Sequence, residues 1–351
     1  MDKLNRRLFP RKLDFRNGNI ELAHGAGGKA SAQLFEELFR PAFSNPELDR
    51  GDDAAAFEGA ARMVVATDGH VVSPLFFPGG DIGTLAIHGT VNDVATSGAI
   101  PRYLTAAFIL EEGFPLNDLQ TIAQSMAAAA REAEISIIAG DTKVVEKGNG
   151  DGVFIATTGV GFLPEHIVEK PGAHRAQVGD AILLSGDIGD HGVTILAARE
   201  GLPLSAPIKS DTASVHTLAQ AIIAAAPGTK CLRDPTRGGV ATAVNEICRA
   251  SGTGAILNEP SIPIRRPVEA ACEILGVDPL YLANEGKLIA IVPEAQVDQA
   301  LAAMHAHPLG ERAAKIGRII EDPDGFVQME TVSGGRRMVD WLVGDPLPRI
   351  C

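Results

Sequence analysis

The chain has 351 residues, of which 45% are hydrophobic, and a formal net charge of −13 at pH 7. This length and apolar content suffice for two domains and exclude a disordered or fibrous protein. The negative charge argues against a nucleic-acid-binding surface, which would carry a basic patch. No apolar run approaches the roughly 20 residues of a membrane helix, and the start does not resemble a signal peptide. We therefore expect a soluble cytoplasmic protein that binds neither nucleic acid nor membrane.

Helix-like and strand-like segments alternate along the whole chain. Apolar periodicity predicts helices over residues 31–39, 82–95, 116–133, 193–200, 214–225, 239–250, 267–275 and 294–305. Short apolar runs predict strands over residues 63–67, 103–110, 136–138, 153–161, 181–185, 255–257, 287–292 and 315–320. The alternation indicates an α/β fold made of α and β layers.

A stretch rich in proline and glycine, residues 163–180, separates two halves of similar element content. We place the domain boundary there. The predicted units are a loosely docked N-terminal extension (1–20), two α/β domains (21–165 and 175–330) and a C-terminal tail (335–351). Prolines and a glycine near the end predict that the tail is extended and flexible.

The four cysteines, Cys231, Cys248, Cys272 and Cys351, have no metal-ligand spacing and no disulfide-scaffold density. Cys248 and Cys272 fall in helix-like stretches and are expected to be small buried side chains. Cys351 differs because it is the last residue and has no following segment to pack under.

Glycines 25, 27 and 28 directly precede a predicted helix, so their amides could surround a phosphate. The spacing matches neither a Walker A loop nor a dinucleotide fingerprint, and a flexible turn is the alternative.

Acidic residues recur beside small residues at the ends of predicted strands or in loops. An unpaired carboxylate in such surroundings is costly unless a cation lies beside it, and oxygen ligands suit Mg²⁺ that bridges phosphates. The acids concerned are Asp52, Asp53, Asp68, Asp93, Asp141 and Asp234.

The order of these motifs along the chain resembles that of the PurM-like superfamily of ATP-dependent enzymes. Residues 68–80, 97–104, 140–145 and 234–240, together with the final Pro-Arg-Ile-Cys, are similar to the HypE hydrogenase maturation family in particular. The resemblance covers nearly all of residues 20–351. It implies a two-domain PurM-like fold whose N-terminal domain binds ATP, and a homodimer with the nucleotide near the interdomain and intersubunit cleft.

The resemblance also implies a site. The metal would lie among Asp52, Asp53, Asp68, Asp93 and Asp141, with ATP and Mg²⁺ as cofactors. The nucleotide would also contact Gly25, Gly27, Gly28, Thr67, Asn92, Thr142, Asp234 and Arg237. Asp234 and its neighbours could instead cap a helix, with glycines 238 and 239 permitting close packing.

The activity implied is dehydration of an S-carbamoyl group on Cys351 to an S-cyanate, which supplies the cyanide ligand of a NiFe-hydrogenase iron. A HypF-type carbamoyltransferase would load Cys351, and the HypC–HypD complex would receive the product. Glu285 and Lys143 would handle protons and position the carboxamide. Lys143 could instead contact phosphate, Glu285 could pair with Lys287 or Lys143, and Arg349 could orient the tail by pairing with an acid.

Two other functions are compatible with the sequence. A kinase or synthetase of the same scaffold would act on a diffusible molecule and tolerate loss of Cys351. A non-enzymatic scaffold would deliver a thiol-bound group without ATP turnover, which the recurring acids argue against. The histidines lie in separate segments, so we do not expect a His-ligated metal site.

Overall fold

The computed structural model describes residue 9 and residues 11–50, 54–201, 207–342 and 349–351. The helices are α1 (Lys29–Leu34), α2 (Arg40–Phe43), α3 (Ile82–Thr96), α4 (Leu116–Glu132), α5 (Asp190–Glu200), α6 (His216–Ala225), α7 (Gly239–Ser251), α8 (Arg266–Leu275) and α9 (Val297–His305). A π-helical stretch, Phe35–Phe39, joins α1 to α2.

The strands of the first half are β1 (Met63–His70), β2 (Phe76–Phe77), β3 (Gly80–Asp81), β4 (Ile100–Glu111), β5 (Ser136–Val145) and β6 (Val153–Phe162). Those of the second half are β7 (Ala181–Leu184), β8 (Cys231–Arg233), β9 (Gly254–Asn258), β10 (Ile289–Val292), β11 (Ala314–Ile320), β12 (Val327–Glu330) and β13 (Arg336–Met338).

The first half forms a four-stranded sheet in the order β1-β6-β4-β5. Strands β4 and β5 are parallel because α4 crosses between them, and the other pairs are antiparallel. Alternate residues of β4, such as Leu104, Phe108 and Leu110, are buried under the helices, whereas Ile109 on the other face is exposed. One face of this sheet is therefore uncovered, with β1 and β5 at its two edges.

The second half forms a seven-stranded sheet in the order β13-β12-β9-β11-β7-β10-β8. On β7, Ile182 and Leu184 pack in a cluster with α7, while Ala181 and Leu183 pack in another with α6 and α9. Helices thus cover both faces, which explains why β7 and β10 are continuous apolar runs without alternation.

The two halves share a core at the end of α3. Val94 and Ala95 of that helix pack in the cluster that contains α6, α9 and the second sheet. The C-terminal turns of α3 are therefore fixed at the boundary between the halves. Side chains on these turns reach the cleft that lies between the two halves.

The predicted helices and strands all occur, with boundaries shifted by a few residues. The sequence patterns missed the short strands β2, β3, β8, β12 and β13 because they are two to four residues long, too short to show a period. In the N-terminal extension, whose described part is residue 9 and residues 11–20, hydrogen bonds connect the chain to the first half. The Ile20 amide donates to the Phe114 carbonyl (2.7 Å) and the Leu13 amide to the Glu37 carboxylate (2.8 Å).

Among the helices that the structure describes, none is long and apolar enough to cross a membrane.

Candidate active site

The end of the chain lies in the cleft between the two halves. Ile350 forms an isolated antiparallel bridge with Val72, just beyond the end of β1. The amide of Val71 donates to the Cys351 main-chain oxygen (3.0 Å), and the amide of Ser73 donates to the Arg349 carbonyl (3.1 Å). The flexible tail predicted from the sequence thus ends in a seated segment, whereas residues 343–348 lie outside the described part.

The Cys351 thiol lies beside the Glu285 carboxyl group, close enough for hydrogen bonding between the two side chains to affect both pKa values. Burial raises the pKa of Cys351 well above its ordinary value, the charge of Glu285 adds to this, and Arg237 opposes it. In this seat the sulfur is therefore a protonated thiol, which is a poor nucleophile. Cys231, Cys248 and Cys272 are buried, as expected for Cys248 and Cys272, and burial raises their pKa values to about 12, 12 and 11.

Glu285 is fixed mainly through its backbone. Its amide donates to Asp211 Oδ1 (3.1 Å), and its carbonyl accepts from the amide of Ala213 (3.3 Å) and from Asn92 Nδ2 (3.4 Å). Asp211 in turn pairs with Lys287 (Oδ2 to Nζ, 3.0 Å). Lys287 is therefore the partner of Asp211, and the structure does not support the alternative in which it pairs with Glu285.

The Glu285 carboxyl group is buried among other acids. Burial raises its pKa well above the ordinary value, and the charges of Asp211, Asp234 and Asp68 raise it further. Its Oε1 atom has no hydrogen-bond partner among the described residues. A buried carboxyl with an unused oxygen and a raised pKa can accept a proton from a group placed beside it.

Asp68, Asp93 and Asp234 come together near Glu285. Asp68 lies near the end of β1 and Asp93 near the end of α3, and Asp234 directly follows β8. Burial raises the pKa of Asp93 to about 7, with further contributions from the charges of Asp234 and Asp68. Such mutual repulsion between carboxylates is relieved when a cation binds between them.

The loop after Asp234 is held by two glycines. Gly238 and Gly239 have φ angles of +72° and +60°, and a Cβ atom on Gly239 would lie 2.4 Å from the Leu280 carbonyl oxygen. The close packing expected at these glycines is confirmed, and it places Arg237 beside Cys351 in a cavity of about 290 Å³. Asp234 does not cap α7, because the N-cap residue is Gly238.

A second cavity, of about 630 Å³, lies between α1 and the β5 edge of the first sheet. Its lining includes Gly25, Gly27, Asp141, Thr142 and Lys143. Lys143 Nζ pairs with Asp141 Oδ2 at 2.6 Å, and both side chains are exposed. A cavity of this size suits a nucleotide.

The three glycines of the loop that precedes α1 differ in their structural roles. A Cβ atom on Gly25 would lie 2.4 Å from the Val144 amide nitrogen, so the loop touches β5 directly. Gly27 has a φ of +76°, which favours glycine. Gly28 is the N-cap residue of α1, and a Cβ atom there would meet nothing within 4 Å.

Within one protomer the predicted site residues form two groups. The sheet register places Asp68 opposite Thr157, Thr157 opposite Ala106, and Ala106 opposite Gly140. Asp141 and Lys143 are therefore three strand spacings, about 14 Å, from the strand that carries Asp68. The structure does not bring Lys143 to Glu285, or Asp141 to Asp68 and Asp93, inside a single chain.

Three other predicted residues have distinct positions. Thr67 Oγ1 donates to the Thr157 carbonyl (3.0 Å) on the sheet. The Asn92 side chain is buried, and its Oδ1 accepts from the Val215 amide (2.8 Å) while its Nδ2 donates to the Ala213 carbonyl (3.0 Å). Asn92 thus joins the two halves and is not available to a nucleotide. Asp52 and Asp53 lie outside the described residues.

Sequence reasoning missed Asp211, which supports Glu285. No local pattern marks it, since it lies in a loop more than 70 residues away from Glu285 in sequence. In the part of the chain that the structure describes, no group of three or more His, Cys, Asp or Glu side chains is arranged to hold a metal. Several histidines have other partners: His24, for instance, accepts from the Glu21 amide through Nδ1 (2.9 Å).

Comparisons with known proteins agree with this architecture. The N-terminal domain of AIR synthase related proteins matches residues 51–163, and the C-terminal domain of the same family matches residues 177–330. The fold and the cleft between its halves define a two-domain PurM-like protein. A thiamine-monophosphate kinase from Stenotrophomonas maltophilia shares this fold with a TM-score of 0.63 at 21% identity.

More similar proteins narrow the class. Carbamoyl dehydratase HypE of Azotobacter vinelandii is 60% identical over 97% of this chain and 99% of its own length. The enzyme of the same name from Escherichia coli K12 is 48% identical over 95% of this chain and 99% of its own. A crystal structure of HypE in complex with ATP has a TM-score of 0.91 at 47% identity, covering 94% of this chain and 99% of that one. The chain belongs to the HypE carbamoyl dehydratase family.

Proposed function

We propose that this chain dehydrates a carbamoyl group carried on its C-terminal Cys351 to an S-cyanate, using ATP, and so supplies the cyanide ligand for a NiFe-hydrogenase iron. The observation that carries this proposal is the contact between Cys351 and Glu285 in the cleft. A thiol seated against a buried carboxyl with an unused oxygen is the arrangement that a group carried on sulfur needs in order to lose protons.

The proposed reaction balances as follows. The carbamoyl oxygen takes the γ-phosphoryl group of ATP, and ADP leaves. The C–O bond then breaks as phosphate departs, while the nitrogen loses both protons and a C≡N group remains on sulfur. One of these protons leaves with the phosphate and the other is released, so that the products are the S-cyanate, ADP, phosphate and one proton.

Glu285 is proposed as the base that takes a proton from the nitrogen. Its carboxyl group already contacts the Cys351 sulfur, and its Oε1 is unused among the described residues. Because burial and neighbouring acids raise its pKa, the carboxylate is a stronger proton acceptor than an exposed glutamate. Arg237, beside Cys351, is proposed to attract the charge that develops on the phosphorylated oxygen.

ATP is proposed to bind at the glycine-rich loop, with Gly25, Gly27, Gly28, Thr142 and Lys143 around it. Mg²⁺ commonly binds through one or two carboxylates and the substrate phosphates, which fits the repelling pair of Asp68 and Asp93. Asp52, Asp53, Asp141 and Asp234 are further candidates for this role. When bound, the ion would neutralise charge on the phosphates.

A homodimer is proposed to join the two groups of site residues. The uncovered face of the first sheet keeps Met63, Val65 and Ile109 exposed by 55%, 63% and 43%. Two copies that pack these faces together would bury them and bring the β5 edge of one copy towards the β1 edge of the other. This would place the glycine loop of one protomer near the Cys351 cleft of its partner.

The proposed partners are a HypF-type carbamoyltransferase and the HypC–HypD complex, in the cytoplasm. A solved HypE–HypF complex contains a chain 46% identical to this one with a TM-score of 0.78. Since the seated thiol is half-buried and protonated, the tail must leave the cleft to be loaded and to deliver its product.

The test is the intact mass of the protein after incubation with the carbamoyltransferase, carbamoyl phosphate and ATP-Mg²⁺, followed by mapping of the C-terminal peptide. We expect an adduct on Cys351 that loses the mass of one water only when hydrolysable ATP is present. ATP turnover with an unmodified Cys351 would contradict the proposal and would indicate a diffusible substrate.

A further inference from the structure

Helix α5 contacts the seated tail at two places, and both contacts are made to the main chain of the tail. His191, in the first turn, lies 2.7 Å (Nε2) from the Ile350 carbonyl oxygen. Arg199, in the last turn, donates from its guanidinium to the Arg349 carbonyl (2.8 Å). The same arginine donates through Nε to the Ser73 carbonyl (3.1 Å), so it joins the tail to the segment on which the tail lies.

The protonation state of His191 follows from its partners. A carbonyl oxygen can only accept, so Nε2 carries the hydrogen. Nδ1 lies 2.8 Å from Ser210 Oγ and, in the neutral ring, accepts from that hydroxyl. The ring is fully buried, burial lowers its pKa, and Phe77 packs edge-on against it at 5.7 Å between ring centres. His191 is thus a neutral, fixed donor aimed at the tail.

The side chains of the tail contribute differently. Ile350 is buried in a cluster that joins the core of the first half to α5 and α8. Arg349 pairs with Asp151 at 2.6 Å, which is the pairing with an acid that the sequence allowed. Neither contact involves the sulfur. The hydrogen bonds from α5 therefore hold the tail in the same place whether Cys351 carries a hydrogen, a carbamoyl group or a cyanate.

We infer that His191 and Arg199 are positioning residues that clamp the main chain of the tail and so hold the Cys351 sulfur against Glu285 during dehydration. The clamp itself follows from the hydrogen bonds, and its catalytic consequence rests on the proposed function. A residue that acts in this way governs how often the sulfur is exposed, which can be measured without ATP or any partner.

The experiment compares the full-length protein with Arg199→Ala, Arg199→Lys, His191→Phe and His191→Gln. Arg318→Ala is the matched control, because Arg318 is an exposed arginine on β11 of the second sheet. The first readout is the rate at which Cys351 reacts with an excess of a chromogenic disulfide. The other three cysteines are buried, and a Cys351→Ala protein supplies the background.

We expect Arg199→Ala and His191→Phe to react at least about tenfold faster than the wild type, the ratio that corresponds to losing one strong hydrogen bond. Lysine at position 199 and glutamine at position 191 can each restore one donor. The rates of Arg199→Lys and His191→Gln should therefore lie between that of the wild type and those of Arg199→Ala and His191→Phe. The single-turnover rate of dehydration should fall by a similar factor, while loading by the carbamoyltransferase stays unchanged or becomes faster. Arg318→Ala should match the wild type in each measurement.

Wild-type thiol reactivity in Arg199→Ala would overturn the clamp. This variant changes a half-buried residue at a helix end, so it keeps the test decisive even if His191→Phe fails to fold. An equal loss of loading and dehydration would also count against the clamp, because it indicates general damage. Failure of the wild type to dehydrate a loaded Cys351 would instead contradict the proposed function, and the thiol rates would still report on the clamp.

Discussion

The Cys351 cleft and the glycine-loop cavity, which are proposed to work together, differ in how completely a single chain forms them. The Cys351 cleft is closed around its occupant. Glu285 is buried, its amide and carbonyl are both hydrogen-bonded, and the tail is hydrogen-bonded to the segment after β1 and to α5. The glycine-loop cavity is open, and its charged residues, Lys143 and Asp141, pair with each other in solvent. A single chain therefore forms the cleft completely. The cavity, in contrast, is an open binding site that a ligand and a second copy of the chain would complete.

The comparison predicts that changes in the cleft affect chemistry after loading, while changes in the cavity affect nucleotide binding. The largest effect is expected for Cys351→Ala. With no sulfur to carry the carbamoyl group, adduct formation and dehydration should both be abolished, whereas ATP should bind with unchanged affinity. Intact mass and calorimetric titration measure these two properties. Loss of ATP binding in Cys351→Ala would contradict the separation between a cleft for chemistry and a cavity for nucleotide binding.

Glu285→Gln should give the next largest effect. Glutamine keeps the shape but cannot accept a proton, so dehydration should slow by roughly 10²–10⁴-fold, the usual contribution of a general base. Loading of Cys351 should continue, and the carbamoyl adduct should accumulate in single-turnover mass measurements. Glu294→Gln is the matched control, since Glu294 is exposed and pairs with Lys315. Normal dehydration by Glu285→Gln would remove Glu285 from the proposed role.

Gly25→Ala tests the cavity through its packing. The added Cβ atom would approach the Val144 amide nitrogen to 2.4 Å, so the loop must move away from β5. We expect a loss of stability of about 1–3 kcal/mol, as for other overpacked sites, together with weaker ATP binding. Thermal melting and titration with ATP measure the two effects.

Gly28→Ala is the control for this loop, because an added Cβ atom there meets nothing within 4 Å and the φ angle is −99°. It should melt close to the wild-type temperature, because the entropic gain of alanine is offset by the preference of the N-cap position for glycine. Equal melting temperatures for the two alanine variants would show that the close contact at Gly25 does not matter.

The smallest effect concerns Asp93, whose pKa is raised to about 7 in the folded protein from 3.8. Between these values the folded state holds a proton that the unfolded state has released, so stability falls as pH rises from about 4 to 7 and this contribution is then constant. Asp93→Asn cannot ionise and avoids the loss. Its stability advantage over the wild type should be absent near pH 4 and should grow as the pH rises to 8.

Melting curves across this pH range measure the Asp93 effect. ATP-Mg²⁺ should raise the melting temperature of the wild type more than that of Asp93→Asn, because the ion would relieve the repulsion among the acids. A difference between the two proteins that does not change with pH would mean that Asp93 is already ionised in the fold.

How much of this could be predicted from the sequence depends on whether a feature is local. The helices and longer strands follow from their apolar periods, and the resemblance to the HypE family singles out Cys351 and Glu285 as candidates. Local patterns could not show that Asp141 and Lys143 lie on the opposite edge of the sheet from Asp68, since strand order is set by long-range pairing. For the same reason, Asp211 and His191 carry no local signal: their roles arise from contacts made over 74 and 159 residues.

The central claim is that the group on Cys351 becomes a nitrile inside the cleft. Infrared spectroscopy of the loaded protein after a single turnover with ATP-Mg²⁺ tests this directly. We expect a nitrile band that shifts when the carbamoyl carbon is labelled with ¹³C and that is missing with a non-hydrolysable ATP analogue or in Cys351→Ala. A fully loaded, ATP-consuming protein without such a band would contradict the account.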